Sequence, residues 1–140
     1  MVKKDFLCPC HSQRLYKDCC KPFHEKAFCS NALELMRSRY SAYALVLADY
    51  IIKTTHPLNP AYSLDPEWKK QILEFCRSTI FEDLQILEFI PGEKEAFVTF
   101  RAILKQKNKD VSFSETSFTE TSFFIKENGR WFYRNGEIKN

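Results

Sequence analysis

CPCHSQRLYKDCC, residues 8–20, places four of the chain's six cysteines within thirteen positions, two of them adjacent. Cysteine is sparse and ordinarily buried as a small hydrophobe, so a cluster this dense in a polar stretch calls for a chemical role. The spacing is C-x-C-x8-C-C, two close pairs joined by a short loop. Two such pairs let four thiolates converge on one tetrahedral ion, and Zn²⁺ accepts all-sulfur ligation at about 2.3 Å per bond. Pro9 stiffens the turn inside the first pair. Ligation free energy becomes folding free energy for a segment too small to bury a core of its own. The candidate ligands are Cys8, Cys10, Cys19 and Cys20, with His11 and His24 as spare imidazoles. His24 is the one able to replace Cys20, because adjacent cysteines do not always both turn toward one ion.

Three other readings of the cluster stay open. An iron–sulfur centre is the lesser choice without ferredoxin spacings. A redox pair is another, although C-x-C and C-C are not the C-x-x-C redox motif. The plainest is four ordinary buried thiols, which a polar loop has little means to bury. Cys29 and Cys76 lack such company and read as buried structural thiols. A closed four-ligand site leaves no position for substrate or water, so its role is structural. It builds a rigid knob whose Arg14, Tyr16, Lys17 and Lys21 suit contact with another macromolecule.

Outward from the knob, 140 residues make one domain with a small appendage, long enough for a real core. Thirteen phenylalanines and six tyrosines supply aromatic bulk, while three glycines and no P-loop or dinucleotide fingerprint speak against enzymes of those kinds. The net charge of +3 is mild. No apolar run approaches transmembrane length, and MVKKDFLCPCHSQ has no apolar signal core. A cytoplasmic location is the expectation, and there thiols stay reduced.

Residues 1 to about 28 are loop-like and punctuated by Pro9 and Pro22. From residue 30 to about 79 the pattern is helical. Leu33, Met36, Tyr40, Tyr43 and Leu47 recur at helical spacing, and Asn31 three before Glu34 resembles a capping box. A second helix is expected over Ala48 to Thr54, before His56-Pro57, and a third after Asp65-Pro66-Glu67, carrying Trp68, Ile72 and Phe75 inward. Strands follow: Leu84 to Ile90, then Glu95 to Lys107 with Val98, Phe100 and Ala102 on one face, then Val111 to Lys126. Asn128-Gly129 is a hairpin signal leading into Arg130 to Tyr133. Helices followed by a curling antiparallel sheet give an α+β layout around one core.

The stretch CPCHSQRLYKDCC resembles a SEC-C motif, the metal-binding knuckle at the tail of the bacterial preprotein translocase ATPase. Cys8, Pro9, Cys10, Ser12, Tyr16, Cys19 and Cys20 match its pattern, while His11 stands where glycine is usual. LMRSRYSAY (35–43), His56-Pro57 and GRWFYRNG, together with Cys20, Pro22, His24, Glu120, Ser122 and Phe124, are similar to the YchJ family, also called UPF0225. The resemblance implies Zn²⁺ on Cys8, Cys10, Cys19 and Cys20. It also implies a knuckle over residues 1–28 and an NTF2-like cone over 29–140, with helices on the concave face of a curved antiparallel sheet around a pocket. NTF2-like sheets often pair, so a homodimer through the sheet is a further expectation. Thr55 replaces a frequent tryptophan and Thr119 a frequent histidine, which alters the pocket if they line it. The family brings no established reaction.

Candidates outside the knuckle are Arg37, Arg39, Tyr40, His56, Glu120 and Trp131, with His56, Glu120 and Arg37 foremost for the pocket. In the functional reading His56 and Glu120 do acid–base work and Arg37 or Arg39 holds an anion. In the structural reading Arg37 pairs with Glu120, His56 makes a turn before Pro57, and Trp131 is core; this is the favoured one. Two residues apart on a helix, Arg37 and Arg39 point about 200° apart and cannot share one pocket. Residues 1–26 hold six lysines and arginines against three carboxylates, a net of +3. A zinc tetrathiolate carries about −2, so general nucleic-acid binding is disfavoured. Two functions remain. The first is a zinc-binding adaptor whose knuckle meets a protein or ribosome-surface partner of the export chaperone, translocase or ribosome class. The second is an enzyme or small-ligand binder using the cone.

Overall fold

The computed structural model describes residues 6–139; Lys3, Lys4 and Asp5 of the N-terminal charge count lie outside them. A 3₁₀ turn at Tyr16–Asp18 leads into a short helix α1 (Lys21–Glu25), followed by α2 (Ala32–Ala44), α3 (Ala48–Thr54) and α4 (Pro66–Arg77). Five strands complete the chain: β1 (Thr79–Ile90), β2 (Glu95–Lys107), β3 (Phe113–Glu115), β4 (Phe118–Glu127) and β5 (Arg130–Ile138). The helices thus number one more than the three expected, because Pro22 opens α1 inside the cysteine-rich segment instead of breaking a loop.

Local chemistry sets the helix starts. Asn31 Oδ1 accepts from the Glu34 amide at 2.9 Å, and Glu34 returns a carboxylate to the Ser30 amide at 2.6 Å. Asp65 caps α4 by accepting from the Glu67 amide at 2.9 Å, with Pro66 in the first turn.

The sheet is antiparallel throughout, in the order β1-β2-β4-β5, with β3 beside β2. Register shifts in β1 at Phe81/Asp83 and Ile86/Glu88, and in the β4–β5 pair at Phe123/Phe124, bend the ladder. Strand pairing puts Ala96, Val98, Phe100 and Ala102 opposite Phe124, Ser122, Glu120 and Phe118 on the face that the helices cover. The other face carries Phe97 stacked on Phe123 at 5.1 Å and the hydroxyl pair Thr99–Thr121 at 2.9 Å. Asn128 and Gly129, at φ 51° and 78°, make the tight β4–β5 turn, where both central residues take positive φ.

The core under the concave face joins Leu35, Met36 and Tyr40 of α2 to Leu84, Val98, Phe100, Leu104, Phe124 and Trp131. Trp131 is 6% exposed and donates from Nε1 to Ser30 O. Helix α2 is buried on nearly every side: the cysteine-rich segment covers Ser38 and Ser41 on its outer face, and Arg39 is buried against α3. No helix among the described residues is long and apolar enough to cross a membrane.

Candidate functional site

The Cys8, Cys10, Cys19 and Cys20 sulfurs all lie within 4.8 Å of one another. Cys10–Cys19 is 3.6 Å and Cys19–Cys20 is 3.9 Å. Disulfides need about 2 Å, whereas a tetrahedron with ~2.3 Å bonds has edges of about 3.8 Å. Both adjacent cysteines therefore turn inward, and the donor set fits one closed four-sulfur ion site. All four are free thiols and buried.

Backbone geometry explains how thirteen residues achieve this. Leu7 and Leu15 form an antiparallel bridge, and Cys8 N donates to Arg14 O at 2.8 Å, closing the loop around the first pair. The 3₁₀ turn then carries Cys19 back, its amide donating to Tyr16 O. His11 sits at φ 62° and Gln13 at φ 70°. His11 thus adopts the left-handed conformation that a glycine takes without strain, at about 1–2 kcal/mol for a side-chain-bearing residue. Its ring meets the Tyr40 ring edge-on and lies 3.7 Å from Asp83 Oδ1, which docks the loop on β1.

The electrostatics suit a cation. Hydrogen bonds from the Cys20 and Cys8 thiols hold the Cys10 sulfur well below the usual thiol range. The same anion pushes Cys20 up, and bonding to Cys10 takes Cys8 to about 12. A divalent cation binding the four sulfurs displaces the thiol protons. The Ser12 hydroxyl lies 3.2 Å from Cys19 Sγ. Arg37 of α2 donates to Cys10 O at 3.1 Å and reaches its sulfur at 3.8 Å.

The spare imidazoles stand outside the sulfur group. His24 Nδ1 faces the Tyr16 hydroxyl at 2.7 Å and Nε2 the Ser38 carbonyl at 2.8 Å, so the ring bolts α1 to α2. Burial pushes its pKa down. Tyr16, expected on the exposed rim, is half-buried by this bond and by stacking on Phe6 at 5.0 Å. Arg14, Lys17 and Lys21 are exposed. Cys76 is buried at 4% exposure, and Cys29 is half-buried beside Ser38 and Tyr50.

A second feature is a cavity of about 180 Å³ inside the cone. Of the candidates named from the sequence, Glu120, Arg39 and Tyr40 line it, whereas His56, Arg37 and Trp131 do not. His56 Nε2 pairs with Glu127 at 3.0 Å, its Nδ1 accepts from the Leu58 amide, and its own amide extends the sheet by bonding Tyr133 O. The Arg37–Glu120 ion pair does not form, because Arg37 is on the knuckle side of α2. Arg39 is the arginine that lines the cavity, and the angular separation on the helix keeps Arg37 out of it. Thr55 and Thr119 do not line it: Thr55 accepts from Arg39 at 3.0 Å, and Thr119 meets Arg101 at 3.2 Å. Tyr133 lines it and was not singled out from the sequence. Its period-two relation to the core residue Trp131 was the available signal. Burial, reinforced by Glu120, raises the Tyr133 hydroxyl pKa, so it stays a donor, at 2.9 Å from Glu120 Oε2.

A four-cysteine knuckle seated on a helix-lined antiparallel cone defines a SEC-C-like module joined to an NTF2-like domain. Residues 31–136 match the model for the YchJ middle NTF2-like domain, and the chain belongs to the YchJ family. It is 37% identical over 133 residues to a UPF0225 protein of Sodalis glossinidius, covering 92% of this chain and 81% of that one. The solution structure of a SEC-C motif containing protein from Rhodopseudomonas palustris superposes with a TM-score of 0.73 at 31% identity, covering 95% and 98% of the two chains. A SEC-C motif containing protein from Psychrobacter arcticus gives 0.65 at 28% identity, covering 95% and 82%.

Proposed function

We propose that this chain is a zinc-binding accessory protein acting in the cytoplasm. In this reading Cys8, Cys10, Cys19 and Cys20 hold one Zn²⁺, and the knuckle presents a cationic rim to an acidic protein or ribosomal partner. The observation that carries it is the convergence of four buried sulfurs within 4.8 Å, tied to α2 through Arg37. A closed four-sulfur shell leaves no position for a substrate, so the ion's contribution is to fold and fix the segment. Arg14, Lys17 and Lys21 then stand on a fixed frame, and among the described residues they form no ion pair. The likeness to SEC-C motif proteins, and to the translocase tail in particular, makes the export chaperone, translocase or ribosome class the partner to test.

The test compares partners recovered by the intact zinc-loaded chain and by a Cys19→Ser, Cys20→Ser variant whose sheet remains folded. A discrete partner recovered only with the intact chain, and lost again with Lys17→Glu, Lys21→Glu, supports the reading. Equal recovery by both chains contradicts it.

A further inference from the structure

The cavity in the cone has two chemically different ends. One is aromatic: Phe75 meets Phe81 edge-on at 6.0 Å, and Phe100 meets Phe118 in the same way. An apolar cavity of about 150 Å³ is enough for a benzene ring, and this one offers about 180 Å³. The other end is polar and comes from α2, β4 and β5. Arg39 is 8% exposed, and its Nη1 is occupied by Ile51 O, Thr54 Oγ1 and Thr55 Oγ1 at 3.2, 2.8 and 3.0 Å. Its Nε and Nη2 have no acceptor, and no carboxylate pairs with it, among the described residues. Neither nitrogen is sealed from solvent, so both stand at the cavity wall as donors that a ligand head can take up.

Glu120 is the complementary group. Its Oε2 accepts from Ser122 Oγ and Tyr133 OH, while Oε1 has no donor among the described residues. Tyr133 sets the spacing of the two charges, its ring 4.6 Å beneath the Arg39 guanidinium and its hydroxyl on Glu120. The backbone makes room for this arrangement. A Cβ at Gly136 would collide with both the Glu120 carboxyl and the Tyr133 hydroxyl. The site therefore combines open donors, an open acceptor, and an aromatic slot the size of one ring.

We propose that the cone binds a single-ring aromatic molecule whose uncharged head presents an acceptor to Arg39 and a donor to Glu120, as a carboxamide does. An anionic head satisfies Arg39 but meets the Glu120 carboxyl; a cationic head meets the reverse problem. An apolar ring leaves both polar groups as they are. This inference is independent of the metal reading, since no cysteine of the knuckle lines the cavity.

The test titrates the full zinc-loaded chain with benzamide, benzoate, benzylamine and toluene, following the Ser122 and Gly136 amides by NMR. The expected result is saturable binding of benzamide, with the other three at least tenfold weaker. Ala102→Leu, on β2 opposite Phe118, fills the cavity while leaving Arg39 and Glu120 unsubstituted, and should abolish the benzamide shifts. Arg39→Lys keeps the charge, loses the planar fork, and should weaken benzamide about tenfold. Absence of saturable shifts on the native chain, toluene binding as tightly as benzamide, or unchanged binding in Ala102→Leu each overturns the proposal. The selectivity series needs only the native chain, so it decides the matter even if a variant does not fold.

Discussion

Arg37 donates from one guanidinium nitrogen to the Cys10 carbonyl at 3.1 Å and reaches the Cys10 sulfur at 3.8 Å. Two residues along the same helix, Arg39 lines the cone. Helix α2 thus carries one cation to the cysteine cluster and another to the cavity, and each faces its own chemistry.

A zinc tetrathiolate would leave about two negative charges, and Arg37, 3.8 Å from the Cys10 sulfur, is placed to offset part of them. Arg37→Gln should lower zinc affinity about tenfold, within the range for groups that support metal ligands. Competition against a chromophoric chelator measures this. Arg37→Lys should recover part of the loss, whereas affinity unchanged in Arg37→Gln would remove the arginine from the account.

Metal removal should unfold the knuckle and spare the cone. After chelation the amides of Cys8, Tyr16 and Cys19, which bond Arg14, Phe6 and Tyr16 carbonyls, should lose hydrogen-exchange protection. Val98 and Phe124, paired within the sheet, should keep theirs. Simultaneous loss at both sets would show that the cone does not stand without the ion.

His24 predicts a pH dependence of stability. Its folded pKa is depressed below the ordinary value by burial, so the unfolded chain binds a proton that the folded chain refuses. Stability should fall as pH drops through about 6.5 and level off below the folded pKa. Urea midpoints between about pH 7.5 and 5 should slope less in His24→Gln than in the native chain. Equal slopes would place the proton elsewhere.

Gly129 holds φ 78° in the β4–β5 hairpin, with open space where a Cβ would stand. The strain of a Cβ at Gly129 is therefore conformational. Gly129→Ala should destabilise by about 1 kcal/mol, a lowered urea midpoint with unchanged slope.

The legible parts of the fold are those written in local pattern. The alternation at Val98, Phe100 and Ala102 marked β2 and its inward face, and Asn31, Asp65 and Asn128-Gly129 marked boundaries that stand in the structure. The interruption between β3 and β4 was not legible, since no glycine or proline marks it. There Ser117 accepts from the Leu104 amide through its side chain at 2.9 Å, replacing a ladder bond. β1 starts at Thr79, directly after α4, and β5 runs to Ile138. The final residues Asn135 to Ile138 are held by register with β4 and not by strand propensity.

The cysteine cluster was legible because its ligands are close in sequence. The cone was not, since its polar end is assembled by strand register. Glu120 could be named, but its partnership with Tyr133 and Ser122 depends on pairing across β4 and β5. Helix geometry separates Arg37 from Arg39 by about 200° but leaves open which faces inward. That assignment depends on where the knuckle docks.

One ion held by four sulfurs is what fixes the knuckle on α2 in the proposed function. X-ray absorption at the zinc edge, on protein whose metal content is counted by native mass spectrometry, tests it directly. The predicted result is one zinc per chain with four sulfur neighbours at about 2.3 Å. A shell containing nitrogen or oxygen, or a chain that takes up no zinc, would contradict it.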